Sequence, residues 1–129
     1  MAERPLSPHL QVYRFGYTMS LSILHRIAGV ALGCALFGLT GWLMAAAGGP
    51  VAYAQATRVL RAWPSRALCA LALIALCYHF CNGVRHLVWD LGYGFERRDA
   101  RRSAALMLIA ALAAALACIV ALLYGAVRP

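Results

Sequence analysis

Three apolar runs, each about as long as a bilayer is thick, decide what this 129-residue chain can fold into. They cover residues 19–47, 65–90 and 103–126, and the breaks between them are rich in glycine, proline and arginine. A helix needs about twenty residues to cross a hydrocarbon core of ~30 Å. A soluble domain this small has too little interior to hide three such runs. Hydrophobic residues make up 64% of the chain and charged residues 12%, against roughly 45–50% and about 25% in soluble domains. In lipid every backbone polar group must be satisfied within the segment, so each run is predicted to be a helix. The expected fold class is an all-α membrane protein with three transmembrane helices in a bundle. It forms a single domain over residues 1–129, with a polar arm at 1–18.

Charge placement supports this layout. The net charge is +8, which in a soluble protein would suggest nucleic acid. Here all twelve basic residues are arginine, and most lie at the ends of the runs and between them, as topology-setting charges do. No nucleic-acid partner is expected. The N-terminal arm and the second loop carry Arg4, Arg14, Arg97, Arg98, Arg101 and Arg102, with Arg26 and Arg85 at the helix ends nearest them. The opposite side carries Arg58, Arg61, Arg66 and Arg128. The excess places the N-terminus in the cytoplasm. The first twenty residues lack an early apolar core, so the first run is expected to be a retained helix and the protein to sit in a bacterial inner membrane. Val51 to Pro64 reads as a connector with room for a short amphipathic helix, residues 91–102 as an arginine-dense loop, and Ser103 as the cap of the third helix. The five cysteines form no C-x-x-C pair, and apolar filler accounts for them.

Polar groups inside a span are costly and therefore mark sites. In the second helix His79, Gly83 and His86 fall on one narrow stripe, with Asn82 beside it. A glycine one turn from an imidazole leaves room for a flat macrocycle beside a nitrogen ligand. The spacing alone is equally compatible with His79 as a helix-contact residue and Gly83 as a packing position. If Asp90 marks the membrane edge, His79 lies ~16 Å deeper. His86 shares its face, and His25 is expected to be too shallow to oppose it, so a bis-histidine haem would take its second ligand from another chain. In the first helix Ser22, Arg26, Gly29 and Gly33 line up, with His25 one step aside. Gly29 and Gly33 offer a small-x-x-x-small contact surface. Arg26 and His25 could meet haem propionates, and Ser22 and Arg26 a quinone carbonyl. Equally, Arg26 could be a snorkelling anchor and Ser22 a helix-start residue. Trp42, Trp63, Trp89, Tyr93 and Tyr124 are read as interface anchors, and Tyr78 is given no role.

Three segments together resemble one family. Arg4-Pro5-Leu6-Ser7-Pro8-His9-Leu10, Ser20-Leu21-Ser22-Ile23-Leu24-His25-Arg26 with Gly29, and His79-Phe80-Cys81-Asn82-Gly83-Val84-Arg85-His86-Leu87-Val88-Trp89-Asp90 are similar, in this order, to the cytochrome b anchor subunits of succinate dehydrogenase, respiratory complex II. The resemblance covers essentially the whole chain. It implies His79 as an axial ligand of haem b, with the second ligand on a companion membrane-anchor subunit that completes the bundle. It implies haem-propionate contacts from His25, Arg26 and His86, and a ubiquinone site that includes Ser22 and Arg26. The implied partners are that companion anchor, an iron–sulfur subunit, a flavoprotein subunit and the lipid bilayer. The chain alone is expected to catalyse nothing, as a non-autonomous subunit of succinate:quinone oxidoreductase. Two other readings remain: an anchor without cofactor, and a transporter subunit using His79 as a proton relay.

Overall fold

A computed structural model describes residues 16–127, with side chains to Tyr124. The arm motif from Arg4 to Leu10 lies outside the described residues. Four helices follow one another: α1 Tyr17–Ala47, α2 Pro50–Arg61, α3 Trp63–Asp90 and α4 Arg97–Val127. Three of them, α1, α3 and α4, are long and apolar enough to cross a membrane, the last over Arg97–Tyr124. The expected three-span architecture is thus present.

The turns follow from local chemistry. Gly49 adopts φ +101°, a conformation open to glycine but strained for other residues, and Pro50 starts α2 where its missing N–H costs nothing. The amphipathic connector is therefore a real helix. Its half-buried positions Ala52, Ala56 and Thr57 share one side, while Gln55, Arg58 and Arg61 are exposed on the other.

The α3–α4 connection is shorter than the sequence suggested. Helix α4 begins at Arg97, so Arg97, Arg98, Arg101 and Arg102 decorate its first turns, and Ser103 lies inside the helix instead of capping it. Arginine is a good helix former, and Asp99 in the first turn complements the positive end of the helix. Clustered charge was mistaken for a loop.

Helix α3 packs against both α1 and α4. The core is small and built from Leu21, Ala28, Tyr78, Ala104, Met107 and Ala111. On α4 the buried positions Ala104, Met107, Ala111 and Ala115 form one ladder. Small side chains let helices approach closely where lipid supplies no hydrophobic drive. Most other large apolar side chains face outward: Phe37 is 81% exposed. In water such a surface would aggregate, and in a bilayer it is ordinary. Two hydrogen bonds from adjacent residues of α3 tie it to α1. The Tyr78 hydroxyl donates to the carbonyl oxygen of Leu21 at 2.7 Å. The His79 Nδ1–H donates to the carbonyl oxygen of His25 at 3.2 Å. The buried Tyr78 thus fastens α3 to α1, a role not foreseen from its place on the wheel. Tyr78→Phe is expected to lower stability by about 1 kcal/mol, measurable as a lower unfolding temperature in detergent. An unchanged transition would show that this bond contributes nothing.

Candidate functional site

The site assembles where α1 and α3 touch. Three histidines separated in sequence come together there. The rings of His25 and His79 stack face to face, with centroids 4.0 Å apart and planes 5° from parallel. The His86 ring lies 5.2 Å from that of His25, tilted by 39°. All three side chains are half-buried.

His25 is therefore not too shallow to meet His79, as its position in the sequence had suggested. It stands beside it. An imidazole lone pair lies in the ring plane, so two parallel stacked rings direct their lone pairs side by side and cannot grip one iron from opposite faces.

The chemistry of His79 follows from its partner. A carbonyl oxygen only accepts, so the contact with His25 places the proton of a neutral ring on Nδ1 and leaves the lone pair on Nε2. A ligating histidine is commonly oriented in this way, by a hydrogen bond from its other nitrogen. Gly29 supplies the space. A Cβ there would lie 3.0 Å from His79 Cε1. Glycine at this position lets the imidazole lie against the α1 backbone. By contrast, among the described residues nothing outside their own helix backbone lies within 4 Å of where a Cβ would sit at Gly33 or Gly83. Within the described residues the expected Gly29/Gly33 contact surface is used at Gly29 only. Gly83 leaves open space one turn from His79, and His25 Nδ1 is buried without a hydrogen-bond partner. A cradled imidazole with a free lone pair, open space one turn away and an orphaned buried nitrogen beside it are a set of groups that fits a haem b held through His79.

The stripe drawn on α1 from sequence is split. Its inward side runs through Leu21, His25, Ala28 and Leu32, so Ser22 and Gly29 are half-buried while Arg26 and Gly33 are exposed. Arg26 is exposed on the surface of α1. No group of three or more histidine, cysteine or acidic side chains among the described residues is arranged to hold a bare metal ion.

Two functional-looking residues escaped the sequence reading. Arg85 and Trp89, taken as a topology charge and an interface anchor, form a contact pair next to His86, the arginine buried and the tryptophan half-buried. The Arg85 Cζ lies 3.9 Å from the Trp89 ring centroid, and the indole meets the His86 ring at 5.1 Å and 89°.

Fold and site together define a multi-pass helical membrane protein with an imidazole cluster where α1 and α3 touch. Residues 1–118 match the family described as succinate dehydrogenase/fumarate reductase transmembrane subunit. The succinate dehydrogenase cytochrome b556 subunit of Paracoccus denitrificans is 45% identical over 100 residues, covering 78% of this chain and 77% of the relative. That of Rickettsia typhi is 43% identical over 97 residues, covering 74% of each. The mitochondrial cytochrome b560 subunit of Mus musculus is 41% identical over 72% of this chain and 56% of its own length. The chain belongs to the succinate dehydrogenase/fumarate reductase transmembrane subunit family, and its similarity runs to the cytochrome b subunits of complex II.

Proposed function

We propose that this chain is the haem b-binding membrane anchor of a succinate:ubiquinone oxidoreductase, completing its ubiquinone-reduction site and attaching the flavoprotein and iron–sulfur subunits to the bilayer. The observation that carries this reading is His79, packed on Gly29 with Nδ1 engaged and its Nε2 lone pair free. His79 would hold the haem iron, with a second ligand supplied by the companion anchor subunit. His25, Arg26 and His86 would bind the haem propionates. The bound haem supplies a one-electron Fe(III)/Fe(II) store beside the quinone. Ser22 and Arg26 lie one turn apart on α1 and donate hydrogen bonds to a quinone carbonyl, where developing negative charge is best stabilised. The exposure of Arg26 suits a pocket closed by other subunits. The arginine-rich start of α4, beside an open cleft lined by Tyr17, Thr18, Phe95 and Arg97, faces the cytoplasm of a bacterial inner membrane and receives the soluble subunits.

The test is purification from native membranes in mild detergent, followed by a dithionite-reduced minus oxidised spectrum. A b-type α band with a co-purifying flavoprotein and iron–sulfur protein is expected. The same partners without haem would leave the anchor role and return His79 to helix packing. Neither haem nor partners would sink the whole proposal. Within the complex, Ser22→Ala is expected to slow quinone reduction about 100-fold, the low end for loss of one charge-stabilising donor, with the b band intact. Unchanged quinone kinetics would remove Ser22 from the site.

A further inference from the structure

Arg85 takes no part in the roles proposed above, yet it is the only charged side chain buried among the described residues, at 6% exposure. Its guanidinium is held on every edge. Nε donates to Ser103 Oγ at 3.1 Å, Nη2 to the Ala100 carbonyl oxygen at 2.9 Å, and Nη1 to Asn82 Oδ1 at 3.4 Å. Asn82 is itself fully enclosed. The guanidinium carbon lies over the Trp89 ring, 3.9 Å from its centroid. All these acceptors are neutral. A buried cation without a carboxylate partner is a costly arrangement that an apolar residue of similar volume would avoid, so the fork and the contact with Trp89 matter here.

Trp89 carries the arrangement onward. Its Nε1–H donates to the Gly94 carbonyl oxygen at 3.3 Å, and its ring presents an edge-to-face contact to His86. His86 adjoins His25, which stacks on His79. A continuous series of contacts therefore runs from the first turns of α4 to the imidazole cluster, and Arg85 is its first link on α3.

We propose that Arg85 is a positioning residue: anchored on α4 and packed on Trp89, it holds the indole against His86 and so sets the orientation of the His86–His25–His79 group. The inference rests on the haem reading above. Lysine cannot replace this residue, because an ammonium offers neither the planar fork that serves three acceptors nor a face to lay on indole.

The alternative is a simple brace between α3 and α4, and the test separates the two. The whole complex is purified with Arg85→Lys, Trp89→Leu, His86→Leu, and Arg85→Lys combined with His86→Leu. The haem midpoint potential, its electron paramagnetic resonance spectrum and the unfolding temperature are then recorded. Loss of a group that orients a ligand set typically costs 10–100-fold. Arg85→Lys and Trp89→Leu are each expected to shift the haem redox equilibrium about tenfold in the same direction, about 59 mV for one electron, with altered g-values. In the His86→Leu background Arg85→Lys is expected to add no further shift. Wild-type potentials and g-values in both single variants, with only a lower unfolding temperature, would overturn the proposal and leave a brace. Should Arg85→Lys fail to assemble, Trp89→Leu keeps the three hydrogen bonds of Arg85 and decides alone. A wild-type complex without a b band would remove the haem reading, and this inference with it, before any variant is compared.

Discussion

In the assembled complex His79→Ala is expected to abolish the b-type difference spectrum and lower haem retention by at least the 10–100-fold typical of disturbing a metal site's supporting shell. The substitution removes the one imidazole whose Nδ1 is engaged by a backbone carbonyl and whose Nε2 lone pair is free. Neither neighbour can take over. The His25 ring stacks flat on the vacated position with its own lone pairs directed elsewhere, and His86 is in ring contact with His25 and Trp89. The fold itself should tolerate the change. The carbonyl of His25 lies within α1 and keeps its helical hydrogen bond, and the tie between Tyr78 and Leu21 remains. The lost side-chain bond costs about 1 kcal/mol or less inside a membrane protein. The space left over Gly29 is imidazole-shaped, so added free imidazole is expected to restore part of the α band. The measurement is haem per protein after gel filtration, together with the reduced-minus-oxidised spectrum. A normal band in His79→Ala would remove this residue as a ligand and favour its use as a helix contact.

The spans were legible in the sequence because length and composition decide them, and these need no partner. The stripe of His79 and His86 was legible for a related reason: ionisable groups in a span stand out against an apolar background. What could not be read was rotation. A helix that is apolar all round has no face that declares itself inward. The wheel on α1 was therefore centred on Arg26, whereas the packed side runs through His25 and Ala28. Tyr78 was set aside because it points away from His79, but that direction is toward the α1 backbone. Arg85 and Trp89 had ordinary explanations as boundary residues. Only the docking of α4, which brings Ala100 and Ser103 to the guanidinium, shows the arginine as buried. The early start of α4 was hidden by four arginines that look like a loop and behave as a helix. The signal that could have been used was Asp99 placed two residues into that run, the charge a helix start favours.

Gly29 offers the sharpest test of how closely α1 must approach the imidazole. A Cβ at this position lies 3.0 Å from His79 Cε1, 3.6 Å from Nδ1 and 3.9 Å from Nε2. Alanine would oblige the ring to yield by a few tenths of an ångström. Valine adds two methyl groups beyond that point, and the ring has no slack in which to retreat. His25 covers it at 4.0 Å, and the Nδ1 bond to the His25 carbonyl tethers it at 3.2 Å. Either the tether breaks, freeing the tautomer, or α1 and α3 separate. Helix propensity is not the issue, since replacing glycine would by itself favour the helix. Gly29→Val is therefore expected to lower haem occupancy by 10–100-fold, the range for losing an orienting contact, with Gly29→Ala intermediate. Gly33→Ala, one turn away with no side chain or neighbouring backbone among the described residues within 4 Å, separates crowding at His79 from a general effect of filling α1. Haem-to-protein ratios of the three purified complexes give the ranking. Full occupancy in Gly29→Val would mean that the close packing of His79 on α1 is dispensable, and that the ligand is oriented from the companion subunit instead.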